Sequence, residues 1–142
     1  MHSAIDFKQL VEAVGDAIVV CDANGAITFW NHAAARLFGF AEHEALGRSL
    51  DLIIPEKQRQ RHWDGYNKTM QTGQTRYGND VLRVPALHKD GRTFSIAFTV
   101  AMLFSAEKTV TAIIAIIRDD TARFNEERVL RKRLAELEAK AV

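Results

Sequence analysis

Residues 91–104 read GRTFSIAFTVAMLF, and Phe94, Ile96, Phe98, Val100, Met102 and Phe104 place a large apolar side chain at every even position. Thr93, Ser95, Ala97, Thr99 and Ala101 alternate with them. A period of two sends successive side chains to opposite faces, so the stretch predicts a β-strand with one buried face. Before it, RYGNDVLRVPALHKDG (76–91) predicts a strand that runs into a turn at Asp90-Gly91, and after it TVTAIIAIIR (109–118) predicts another. Pro85 removes a ladder donor, which places its strand at an edge or at a bulge. Further upstream, AIVVCDANGAITFW (17–30) reads as two strands joined at Asn24-Gly25, a pair that readily adopts positive φ in a tight hairpin turn. Alternation this regular predicts an antiparallel sheet with one face under helices. The opposite face carries smaller residues and is open to a second chain.

Helical segments surround these strands. In DFKQLVEAV (6–14), Phe7, Leu10, Val11 and Val14 fall at helical spacing behind Asp6, a capping residue, and Gly15 ends the run. NHAAARLFGF (31–40) is a short helix broken at Gly39, and AEHEALG (41–47) another turn or two ending at Gly47. PEKQRQRHWDGYNKTMQTG (55–73) is bounded by proline at the first helical position and glycine past the last, and predicts a helix of about five turns. Its large apolar residues, Trp63, Tyr66 and Met70, lie on one stripe with His62 beside it. That stripe either packs on the sheet or walls a ligand pocket. The final segment, DDTARFNEERVLRKRLAELEAKAV (119–142), predicts a helix with Glu127–Arg131 and Glu136–Lys140 pairs at i,i+4. Its Leu130, Leu134, Leu137 and Ala141 cover under two heptads, which fits a solvated helix docked on its own domain as well as a dimerisation helix. The resulting division is a flanking helix over 1–15, a core over 16–119 and a carboxy-terminal helix over 120–142.

Composition narrows the function classes. The 142 residues are 47% hydrophobic and 26% charged, the mix of a single soluble globular domain. Nineteen basic and 18 acidic residues leave a net charge of +1, so no overall field draws the chain to nucleic acid or an anionic membrane. Arg128, Arg131, Lys132 and Arg133 alternate with glutamates, and no helix-turn-helix is visible. The longest apolar run, Ala112–Ile117, is too short to cross a bilayer. The single cysteine, Cys21, cannot form an internal disulfide and fits the cytoplasm. No nucleotide-binding glycine motif, GxSxG nucleophile elbow or metal-ligand spacing occurs, so an enzyme is not expected; His2, His32, His43 and His88 form no metal cluster.

The order CDANGAITFWN, Gly39-Phe40, Glu44, Gly47, His62 through Gly65, Thr72-Gly73, Lys89-Asp90-Gly91 and Arg118-Asp119-Asp120-Thr121 resembles a PAS domain across residues 6–124. PAS domains are sensory modules found ahead of kinases, cyclases and transcription regulators. The resemblance implies an α+β fold: a five-stranded antiparallel sheet in the order 2-1-5-4-3, with short helices and one long helix over one face and flanking helices at both ends. It also implies that Arg118, Asp119, Asp120 and Thr121 hand a signal from the last strand to the terminal helix, and that a homodimer and an output domain or partner protein are involved.

Within the family, PE, RH, DGY, TG and KDG recur in the order seen in haem-binding oxygen sensors. Haem needs an axial ligand on the long helix. The position that is histidine in those sensors is Trp63 here, and His62 is one residue off, a rotation of about 100°. Leu82 stands where they carry an arginine over bound oxygen, and Phe98 replaces a smaller aliphatic residue. Flavin photochemistry of the LOV type is not expected, because Cys21 lies in a strand and no Asn-Cys-Arg motif is present. The expected pocket lining is Trp63, Tyr66, Met70, Leu82, Ile96, Phe98 and Val100, suited to a small apolar or aromatic ligand. The competing expectations are a haem gas or redox sensor using His62, and a protein-interaction module whose core is filled by Trp63 and Phe98.

Overall fold

The computed structural model describes residues 4–74 and 80–141. Five strands, β1 (Ala17–Asp22), β2 (Ile27–Trp30), β3 (Leu82–Leu87), β4 (Thr93–Phe104) and β5 (Val110–Asp119), form one antiparallel sheet in the order β2-β1-β5-β4-β3. That is the predicted order. β3 is an edge strand, as Pro85 requires; Pro85 pairs with Ser95 of β4. Helices α1 (Phe7–Ala13), α2 (His32–Phe38), α3 (Glu42–Ala45) and α4 (Glu56–Thr72) lie in the first half and middle of the chain, and α5 (Thr121–Lys140) follows β5. The core lies against the inner face, where Ala17, Val19 and Cys21 of β1, Ile117 of β5 and Phe94 and Ile96 of β4 meet Trp30, Phe38 and Tyr66. Burial pushes the Cys21 thiol up to about 12, so it stays protonated and serves as a small hydrophobe.

The caps follow sequence chemistry. Asp6 accepts from the Gln9 amide at 3.1 Å and Asn31 from the Ala34 amide at 2.9 Å, while Gly39 and Gly73 close α2 and α4 in the left-handed region. Local departures have physical reasons. Pro55 is the cap residue of α4 with an extended ψ, one position before the first helical residue. The β1–β2 link is longer than a two-residue turn: only Gly25 has positive φ, because the Asp22 carboxylate accepts from the Asn24 and Ala26 amides and holds the turn open. A 3-10 helix, Leu50–Ile53, was not expected; Ser49 caps it through the Asp51 amide. The alternation of β4 holds, but its far end outruns the helical layer: Val100 and Met102 are half-buried and Phe104 is 51% exposed. Part of the strand read over 76–91 falls in 75–79 and lies outside the described residues.

Both flanking helices are poorly covered. Neither α1 nor α5 has a buried residue. Phe7 and Leu10, and Phe124, Val129, Leu130, Leu134 and Leu137, are all exposed. Nor is the outer sheet face made of small residues alone. Register pairs Ile116 with both Ile18 and Thr99, Ile114 with both Val20 and Ala101, and Val20 with Phe29. The small residues of β4 therefore continue into a branched apolar strip on β5 and β1. No helix among the described residues is long and apolar enough to cross a membrane.

Candidate functional site

The α4 stripe is held against the β1–β2 turn. Trp63 lies directly over Gly25, so closely that a methyl group on Gly25 would overlap its ring. Its Nε1 donates to Asp51 Oδ1 at 2.7 Å, joining α4 to the 3-10 helix. Tyr66 is buried and its hydroxyl donates to the Asp22 carbonyl. Burial raises the Tyr66 pKa, so the phenol remains a donor. Trp63 and Tyr66 stand edge to face with centroids 5.1 Å apart. One face of the helix thus grips the hairpin through two aromatic rings and one hydrogen bond, and the 3-10 helix through a second.

Of the seven residues expected to line a pocket, Tyr66 and Ile96 are buried in the core, and Trp63, Met70 and Phe98 are partly buried and packed against it. Leu82 and Val100 are half-buried on β3 and β4 and do not join that cluster. None of the seven lines the two surface clefts, of about 380 and 590 Å³, beside the β3–β4 turn and the start of α4. His62 is half-buried, its ring 4.6 Å from that of Trp63 and 5.7 Å from that of Tyr66. Its Nδ1 is buried without a hydrogen-bond partner. Burial lowers its pKa, partly opposed by the charge of Asp51, and favours neutral imidazole. Haem does not fit this arrangement. A porphyrin plane on His62 needs the space between α4 and the inner sheet face, and there Trp63, Tyr66, Met70 and Phe98 pack with the core. No group of three or more histidine, cysteine or carboxylate side chains among the described residues is placed to hold a metal ion.

At the other end of the chain, Arg118–Thr121 connects several elements. Arg118 makes a forked ion pair with Asp16, 3.0 and 3.1 Å from Nη2, tying β5 to the segment before β1. Asp119 accepts from the Thr121 amide at 2.8 Å. Asp120 is the buried member. Its amide donates to the Ser95 carbonyl at 2.8 Å, and its carboxylate receives the Arg123 guanidinium at 2.9 Å with Arg83 of β3 at 3.7 Å. Arg123 continues to Glu127 at 2.5 Å. The Arg123 hydrogen bonds, against a smaller opposing desolvation, hold the Asp120 carboxyl below its ordinary range. Thr121 contributes its amide; its hydroxyl is buried and unpaired.

Two structural centres were only partly legible. Asn31 was read as a helix opener, yet its Oδ1 also accepts from the Ile18 amide at 2.9 Å, and its Nδ2 donates to the Val11 and Asp16 carbonyls at 2.8 and 3.1 Å. Glu44 and Lys89, quoted above as separate motif positions, meet at 2.6 Å, and Glu44 also accepts from the Ala41 amide. The Lys89 amide donates to the Phe38 carbonyl at 2.9 Å, and the His88 ring closes over Gly39. Asp51, the partner of Trp63, carried no sequence signal, because a lone carboxylate in a short helix is ordinary.

A family model described as PAS fold matches residues 5–119. The sensor protein FixL of Bradyrhizobium diazoefficiens is 29% identical over 136 residues, 95% of this chain and 26% of that protein. The oxygen sensor protein DosP of Escherichia coli K12 is 27% identical over 115 residues, 81% of this chain and 14% of that protein. The chain therefore spans about a quarter or less of these relatives. Among solved structures, a PAS domain of a Colwellia psychrerythraea protein superposes with a TM-score of 0.72 at 22% identity, covering 82% of this chain and 95% of that one. With its strand order, its helical layer and a family match over most of its length, this chain belongs to the PAS-fold family.

Proposed function

We propose that this PAS sensory domain works as a homodimeric signalling module, closed by its own aromatic side chains under α4, that passes changes at the sheet into α5. The observation that carries this reading is the Asp120 junction. One buried carboxylate meets β3 through Arg83 and α5 through Arg123, while its own amide meets β4 through Ser95. A shift of β4 against β3 alters the first turn of α5 because both act on the same residue. Dimerisation is supported by the apolar strip around Ile18, Ile114 and Ile116 and by the uncovered leucines of α5. The output domain or partner protein joins through α5.

The coupling is tested by replacing Asp120 with Asn, which keeps the shape and removes the charge, and following hydrogen exchange. Faster exchange over the first turns of α5 and in the β3–β4 pair, with the β1–β2 pair unchanged, is the expected result. Change confined to α5 would make Asp120 an ordinary helix cap.

A further inference from the structure

Two surface clefts meet where the start of α4 passes the β3–β4 turn. The first, of about 380 Å³, has Leu52 and Leu87 in its apolar walls and Arg48, Arg59 and Lys89 as cations, against the carboxylate of Asp51. The second, of about 590 Å³, shares Arg59 and Leu87 with it and adds Lys57, Gln58 and the carboxylate of Glu56, so the cation-rich part lies in the first. Together they form one groove, and each is in the size range of small-molecule sites, about 300–1,000 Å³.

The three cations of the first cleft differ in what already holds them. Lys89 is committed to Glu44 at 2.6 Å. Arg59 is positioned by carbonyls and only loosely paired: Nε donates to the Ile54 carbonyl at 3.0 Å and Nη2 to the Asp51 carbonyl at 3.4 Å. The Asp51 carboxylate oxygen lies 4.0 Å from Nε and already accepts from Trp63. Arg48 is anchored through its backbone, its amide donating to Ala45 and its carbonyl accepting from Ile27, while its guanidinium has no partner among the described residues. Guanidinium groups with open donors beside apolar walls recognise oxyanions by paired, charge-assisted hydrogen bonds.

We propose that this groove binds a small organic anion, with its carboxylate or phosphate on Arg48 and Arg59 and its apolar body against Leu52 and Leu87. The site meets the aromatic stripe of α4 only through Asp51 and shares no residue with the Asp120 junction, so it stands whether or not the chain dimerises.

The test is a titration of the ¹⁵N-labelled chain with benzoate, inorganic phosphate and neutral benzamide, read from backbone amide shifts. Benzoate is expected to give saturable shifts at Arg48–Leu52 and Leu87–Lys89, and benzamide none. Arg48→Gln is expected to weaken benzoate binding about tenfold while leaving amides outside the groove unmoved. Because Arg59 also supports two carbonyls, Arg48→Gln is the deciding variant and Arg59→Lys the second, expected to retain the fold and lose affinity. Phosphate bound as tightly as benzoate would overturn the apolar half of the proposal and assign the groove to a free oxyanion. No saturable shift in the groove with either anion, or unchanged benzoate affinity in Arg48→Gln, would overturn it altogether.

Discussion

Asn31 uses both ends of one amide to hold four backbone groups, from α1, the segment before β1, β1 itself and α2, and it does so at 1% exposure. Removing the side chain leaves several of these groups without a partner, so Asn31→Ala is expected to cost about 3 kcal/mol in urea unfolding, well beyond the ~1 kcal/mol of a lost cap. The helix opener was legible because capping is local; the other three bonds reach back 13 to 20 residues and leave no local trace. His62 supplies a pH-dependent test. Its folded pKa is lowered from 6.5, chiefly by burial, so below pH 6.5 the unfolded chain binds the proton more readily. Its contribution to stability is complete above pH 6.5 and is lost as pH falls toward the lowered folded value. His62→Phe is expected to remove this part of the acid slope; urea unfolding at several pH values between 5 and 7.5 checks it, an identical slope in both proteins being the contrary result.

Elements were legible where one physical rule governed them. The period of two located β4, a run of β-branched residues located β5, Pro85 sent β3 to the edge, and proline and glycine bracketed α4 to within a residue. Elements set by the choice of one particular side-chain partner were not. The 3-10 helix rests on a serine cap and the Trp63–Asp51 bond, and the β1–β2 turn follows the Asp22 carboxylate in preference to the Asn-Gly pair. The candidate pocket shows the same limit: spacing put Trp63, Tyr66 and Met70 on one face of α4, but only the fold reveals that the first two face a turn. This contact makes Gly25 a point of docking between elements. Gly25→Ala introduces both a left-handed alanine, about 1–2 kcal/mol, and an overlap with Trp63, so its loss of stability is expected to exceed that backbone cost alone. Pairing it with Trp63→Ala in a double-mutant cycle measures the coupling, which is expected to be at least about 0.5 kcal/mol if the ring and the turn are in contact.

At the scale of the whole molecule, the sheet order came from the family resemblance, because no periodicity distinguishes one order of five similar strands from another. The outer face is only partly legible for a related reason. Taken alone, β4 presents alanine and threonine, whereas the paired register aligns them with Ile114 and Ile116. That strip and the bare leucines of α5 support the proposal of a dimer with a closed interior. Native mass spectrometry of the purified chain and of Ile116→Glu, with an absorption spectrum of the same samples, tests this most directly. The expected result is a colourless protein at twice the bare 16.0 kDa mass, reduced to the monomer by Ile116→Glu without loss of fold. A monomeric wild-type chain would contradict the dimer, and an added haem mass with a Soret band would contradict the closed interior.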